Sequence, residues 1–214
     1  MNNLNSLNPN PFLRSAVDID DSIYEKEKGN FKYMGFWFID NYTTKDNFTK
    51  DNLEMKQLVV YSNILQNVYA TLAATKSLVL NYYFIFDKTD LFIAFPLEYF
   101  YLNGYIDEFK NYHYNPAWCC DSNRNIYKTY KFKCREFYAN CKRATNPYFD
   151  YNYQDYNGKR TIFVTNSYKE LNKETSSNIF NMCLQFTDPI SYDIAFACAD
   201  IIQNDLLYSF DNFN

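Results

Sequence analysis

Leu78-Val-Leu-Asn-Tyr-Tyr-Phe-Ile-Phe86 and Leu91-Phe-Ile-Ala-Phe95 are two β-rich runs, joined by Asp87-Lys88-Thr89-Asp90. A polar link between aromatic and β-branched runs reads as a hairpin, and acids such as Asp87 and Asp90 are expected to be solvated in its turn. Before the hairpin, Leu58, Tyr61, Leu65, Val68 and Leu72 recur at spacings of three and four between Asp51 and Lys76. That period predicts an amphipathic helix with Asp51 or Asn52 as its N-cap. After it come three further β-type runs, Thr161–Thr165, Ile179–Phe186 and Tyr192–Ala199, and a strand-like run at Tyr33–Ile39 lies ahead of the helix.

A helix, two strands, a long mixed insertion and three strands predict an α+β fold. The five strands would form an antiparallel sheet with the long N-terminal-side helix packed on one face, a PAS-like arrangement. The insertion, from about Asn103 to Lys159, is aromatic, Asn-rich and irregular, with a short helix expected across Arg135–Arg143. Residues 1–30 read as a polar lead-in ending in Glu25, Lys26, Glu27, Lys28 and Gly29, and residues 31–214 as one module without repeats or an internal linker.

The 214 residues, 47% of them hydrophobic, suffice for one domain with a real core. The 22 Tyr and 20 Phe, together with abundant Asn, suggest codon bias in an AT-rich genome, so most rings are expected to be core or compositional drift. A net charge of -4 argues against a general nucleic-acid binder, whose affinity rests on neutralising many phosphates. No apolar run reaches the roughly 20 residues that span a bilayer, because Pro96 and Glu98 interrupt Leu91–Leu102. The polar, Asn-rich start, Met1–Pro11, lacks a charged segment followed by an apolar one, so no secretion signal is read there.

The six cysteines form no C-x-x-C pair, which disfavours a zinc ribbon and favours oxidised pairing. Cys134 and Cys141, seven apart in a helical stretch, would be about 10 Å apart, too far for a mutual bridge, so Cys119 and Cys120 are their expected partners. If Phe186 pairs with Ala195 around Asp188-Pro189, then Cys183 falls opposite Cys198 and a cross-strand bridge is available. Buried thiols are the alternative for each of them. Asn41-Tyr42-Thr43 and Asn47-Phe48-Thr49 are glycosylation sequons. With the cysteines they tilt the compartment toward extracellular.

Catalytic patterns are absent from the sequence. His113 is the single histidine and reads as a surface residue, no Ser sits in a nucleophile elbow, and Gly29, Gly35, Gly104 and Gly158 are too scattered for a phosphate loop. The chain is therefore not expected to be an enzyme, and no cofactor or metal is expected. The chemistry concentrates in Tyr130-Lys-Phe-Lys-Cys-Arg-Glu-Phe-Tyr138, one arginine among four rings in a basic stretch. Guanidinium presents a planar fork of donors to a carboxylate, and tyrosine adds an apolar wall and a hydroxyl that donates or accepts. Lys128, Lys131, Lys133, Arg135, Lys142 and Arg143 interleave with Tyr127, Tyr130, Phe132 and Phe137, and such cations and stacking rings could hold a single strand of nucleic acid, but confinement to one segment fits one small anion better. Arg135 and Tyr138 share a helical face, either pointing into one pocket or forming a surface ion pair beside a core ring.

Tyr130, four residues, Arg135, one residue, then Phe137-Tyr138 resembles the amino-acid-recognition motif Y-x4-R-x-W-Y of double Cache sensor domains. Tyr153 falls near that motif's next tyrosine. The hairpin Phe84–Pro96 looks like the Cache hairpin ending in proline, and Ile194–Asp205 is similar to the late strand where the motif's aspartate follows small apolar residues, here Asp200. The resemblance covers roughly Asp51 to Leu207. It departs at Phe137, where the family has Trp, and in the long gap before Asp200, for which Asp188 and Asp193 near Pro189 are alternatives expected to be solvated loop acids.

What the resemblance implies is an extracellular sensor on a membrane receptor that binds an amino acid or related amine. Arg135 with Phe137 and Tyr130 would hold the α-carboxylate, and Tyr138, Tyr153 and Asp200 the α-ammonium. Membrane attachment would lie in segments outside this chain, and a homodimer is compatible with it.

Overall fold

The computed structural model describes residues 12–16, 19–39, 53–73, 79–98, 132–134, 137–138, 141, 162–164, 168–169 and 178–202. They form an α+β fold in which eight strands make one mixed sheet. The strands are β1 (Leu13–Ser15), β2 (Gly35–Ile39), β3 (Val79–Phe86), β4 (Leu91–Phe95), β5 (Ile162–Val164), β6 (Tyr168–Lys169), β7 (Asn178–Thr187) and β8 (Ile194–Ile202). Their order is β1-β2-β4-β3-β8-β7-β5, with β6 also on β7.

The five strands expected from sequence form a contiguous antiparallel block, β4-β3-β8-β7-β5. The sheet is nevertheless larger than five strands and not wholly antiparallel, because β2 extends it antiparallel to β4 and β1 then pairs parallel to β2. The polar lead-in supplies β1 and helix α1 (Asp21–Glu27), capped by Asp20, whose carboxylate accepts from Ser22 N and Ile23 N at 3.0 Å each. Arg14 on β1 donates to both Glu27 carboxylate oxygens at 3.2 and 3.1 Å, fixing α1 beside the strand.

β2 and β4 are buried at every position, which explains their unbroken apolar runs: both faces of these strands are covered. Gly35 is required where β2 crosses Phe95. A Cβ there would lie 2.6 Å from the Ala94 carbonyl oxygen and run into the Phe95 ring.

Helix α2 (Leu53–Ala73) covers one face. Met55, Leu58, Tyr61 and Leu65 pack with Phe84, Phe86, Ile93 and Phe95. The expected stripe is therefore real but shorter than read, since Val68 is exposed. α2 leaves the β5–β7 end of that face open, where Ile162 pairs with Leu184 and Val164 with Met182, all exposed. The opposite face carries Phe36, Phe38, Tyr83, Ile85, Phe92 and Phe196, covered by Phe132, Phe137, Tyr138 and Cys141 and by Ile23 and Tyr24 of α1.

The β7–β8 register pairs Phe186 with Ala195 and Cys183 with Cys198, as expected. The two cysteines are bridged, with Cα atoms 4.2 Å apart. Cys141, expected to bridge to Cys119 or Cys120, is a thiol instead, its Sγ 3.5 Å from that of Cys183. Packing explains the difference, because the helical turn lays Cys141 onto the sheet against a sulfur pair already closed. Cys119, Cys120, both sequons, His113 and the α2 N-cap candidates lie outside the described residues, as does the side chain of Cys134.

Candidate functional site

Asn81 on β3, Asp200 on β8 and Asn181 on β7 stand directly opposite one another across three adjacent strands. Facing residues in register share a face, and Cys183, Cys198 and Tyr83 point the same way into the core under Phe132, Phe137, Tyr138 and Cys141. The result is a row of three polar side chains, each at most 8% exposed, within an aromatic layer. Tyr83 Oη donates to Asp200 Oδ1 at 2.9 Å. Asn181 Nδ2 donates to the same oxygen and lies 2.7 Å from Tyr83 Oη. Asn81 also hydrogen-bonds to Asp200, while its own Oδ1 accepts no hydrogen bond.

Burial drives the Asp200 pKa up, and the donors Asn81, Tyr83 and Asn181 pull it only part of the way back, leaving it at about 6. All three donors are neutral. A carboxylate and an amide oxygen side by side in a dry layer form an acceptor-only surface.

Of the residues read as a site in the sequence, Phe137, Tyr138 and Asp200 are described; Tyr130, Arg135 and Tyr153 lie outside the described residues. Phe137 and Asp200 are brought together through Tyr83, whose ring meets Phe137 edge-on at 5.7 Å while its hydroxyl holds the aspartate. Tyr138 is on the same face, edge-on to Phe132 and Phe196, but its hydroxyl donates to Asp87 Oδ1 in the β3–β4 turn. Burial and that carboxylate raise the Tyr138 pKa, so the phenol stays neutral.

Lys133 completes this contact. Its ammonium binds the Asp87 carbonyl oxygen at 2.5 Å and the Asp87 and Asp90 carboxylates. Burial acts to lower its pKa, but Asp90 and Asp87 outweigh it and hold it above the ordinary lysine value. The hairpin acids expected to be solvated thus dock the aromatic segment onto the sheet. Asp90 adopts a positive φ of 55°, which aspartate tolerates in a turn.

Asp188 also departs from expectation. It is fully buried at the end of β7. It accepts from Gln57 Nε2 at 2.7 Å, Tyr61 Oη at 2.6 Å, Ser191 N at 2.9 Å and Ile190 N at 3.2 Å. Thr89 in turn donates to Gln57 Oε1 at 2.6 Å. Burial pushes the Asp188 pKa upward, but these donors overcome it and hold the group below the ordinary carboxylate range. With every strong acceptor direction used, Asp188 is a clamp between α2 and two turns, which leaves Asp200 as the available one of the two buried acids among the described residues.

Asn81, Tyr83 and Asn181 were missed in the sequence. The signal was present: Asn81 is the single amide of β3 and Asn181 a buried amide within β7, both in register with an aspartate. In so Asn-rich a chain they look like drift. Compared with known proteins, the chain matches no protein-family profile, no curated protein and no solved structure.

Proposed function

We propose that this chain is the ligand-binding module of an extracellular sensor of the Cache type, PAS-like in architecture, recognising an amino acid or related amine. The observation that carries the reading is the Asn81–Asp200–Asn181 row. Among the described residues, a buried carboxylate whose partners are all neutral, beside an amide oxygen with no donor, matches the donors and charge of an ammonium group. A cation there would offset the desolvation that raises Asp200. Phe137 and Tyr83 supply an aromatic wall next to it, and Arg135 is close enough in sequence to Phe137 to act as the carboxylate-binding partner. The Cys183–Cys198 bridge is compatible with an oxidising compartment. No described helix is long and apolar enough to cross a membrane, so attachment and output are assigned to other segments.

One observation favours a second reading, a structural or adhesive ectodomain without a small-molecule ligand. Lys133 and Tyr138, from the segment that would contribute the pocket, are committed to Asp87 and Asp90 within the protein.

A thermal-shift panel of amino acids, amines and organic acids on the wild type, Arg135→Ala and Asp200→Ala separates the two. The sensor reading expects stabilisation by an amino acid, with affinity reduced roughly 30-fold or more in each variant, as truncating one partner of a desolvated charge pair costs about 2 to 5 kcal/mol. A wild-type response that survives both substitutions removes these residues from the site. No response to any candidate favours the structural reading.

A further inference from the structure

Three sulfurs from three elements meet in the buried layer beside Asp200. Cys183 and Cys198 form the β7–β8 bridge, and Cys141, from the helical turn that covers the sheet, lies with its Sγ 3.5 Å from Cys183 Sγ and 4.0 Å from Cys198 Sγ. All three are buried. A soft cation would need all three as thiolates, but two are joined to each other, so the arrangement is a thiol against a disulfide.

We propose that Cys141, Cys183 and Cys198 form an intramolecular thiol–disulfide exchange site, in which the bridge passes from Cys183–Cys198 to Cys141–Cys183. Cys141 loses its proton to water or buffer and its thiolate attacks Cys183 Sγ. The new sulfur–sulfur bond forms as the old one breaks, and the electron pair leaves on Cys198, which takes up a proton. One thiol and one disulfide are present before and after the step, so no outside oxidant or reductant is consumed. Cys183 is the electrophile because it is the nearer sulfur.

Geometry also holds the resting bridge in place. Attack runs along the line of the breaking bond, so an aligned thiol would be nearer to one sulfur than the other by about 2 Å. The two distances differ by only about half an ångström, which puts Cys141 to the side. Burial, with the neighbouring Asp200 charge adding to it, raises the Cys141 thiol to about 12. Among the described residues, the titratable groups around it are Asp200 on β8 and Tyr138 on its own turn. Asp200, at about 6, is already ionised above neutrality, so the pH response over that range belongs to the thiol. Exchange therefore follows displacement of the turn that carries Cys141.

Its consequence is structural. The present bridge closes a separation of 15 residues between strands already paired, whereas Cys141–Cys183 would close one of 42 and pin the covering turn to the sheet beside Asp200. Closing the longer loop constrains the unfolded chain more, so a fold carrying the new bridge is expected to resist unfolding more than the present one. This holds whether or not Asp200 takes a ligand.

The test uses the intact oxidised chain. It is incubated between about pH 7 and pH 9, quenched in acid, labelled on its thiols under denaturing conditions and mapped without reduction. The label is expected to move from Cys141 to Cys198 as a Cys141–Cys183 linked peptide appears, about tenfold faster per pH unit, because the thiolate fraction rises tenfold per unit. Cys141→Ser should keep the Cys183–Cys198 bridge at every pH. Cys198→Ser, refolded with oxidised glutathione, should yield Cys141–Cys183. Label that stays on Cys141, a Cys198→Ser protein with both remaining sulfurs labelled, or Cys141 linked to any cysteine other than Cys183 would overturn the proposal.

Discussion

Asp188 and Asp200 belong to the same β7–β8 hairpin and are both buried, yet their surroundings push them in opposite directions. Asp188, at the turn, spreads four donors over two oxygens and is held below the ordinary range. Asp200, in mid-strand, has neutral side-chain donors crowded largely onto one oxygen and sits at about 6. The difference lies in where backbone N–H groups are available. A turn presents them to its own aspartate, whereas in a central strand they are spent in the ladder. One aspartate is thereby stabilised as an anion, and the other has no positive partner among the described residues.

The largest expected effect comes from removing the stabilised anion. Asp188→Ala leaves Gln57, Tyr61 and two backbone donors facing a void and should cost about 3 to 5 kcal/mol in denaturant unfolding. A loss under ~1 kcal/mol would mean that Asp188 is not the clamp described.

Asp200→Asn should act with the opposite sign. The folded pKa lies above the unfolded value, so this group's contribution is fully present below about pH 4 and is lost as pH rises through about 6. The substitution should therefore raise stability by up to about 3 kcal/mol near pH 8 and leave it little changed near pH 4. For Asp188 the linkage runs the other way, with stability present above about pH 4 and lost as pH falls through its lowered pKa. An Asp200→Asn protein that is less stable than wild type at high pH would erase the contrast.

Tyr61→Phe is a smaller perturbation, removing one of the four donors to Asp188 while keeping the ring against Phe84 and Phe86. It should cost about 1.5 to 3 kcal/mol, as expected for a hydrogen bond to a charged group. It should also shift the loss of stability in acid to higher pH, because Asp188 then binds protons more readily. Unfolding followed across acidic pH checks both.

The same pair of acids shows what could be read from sequence. Helical periodicity placed α2, and the spacing around Asp188-Pro189 placed Cys183 opposite Cys198, because strand register is arithmetic once a single pair is fixed. Asp188 itself was misread. Asp-Pro signals a turn, but its partners Gln57 and Tyr61 lie 131 and 127 residues away, and nothing local announces them. β1 escaped notice because three residues are too few to carry a period, and the edge it extends is set by pairing with β2. Asp200 was reached through a family resemblance, while the amides that flank it became visible only when β3, β8 and β7 were laid side by side.

The most direct measurement is a carboxyl-carbon NMR titration of the protein, with Asp188 and Asp200 assigned through their Asn variants. Asp200 should titrate near 6 and Asp188 below the ordinary carboxylate range, and a bound amino acid should move only Asp200 downward. Both groups titrating together at the ordinary value, or in reversed order, would contradict that contrast.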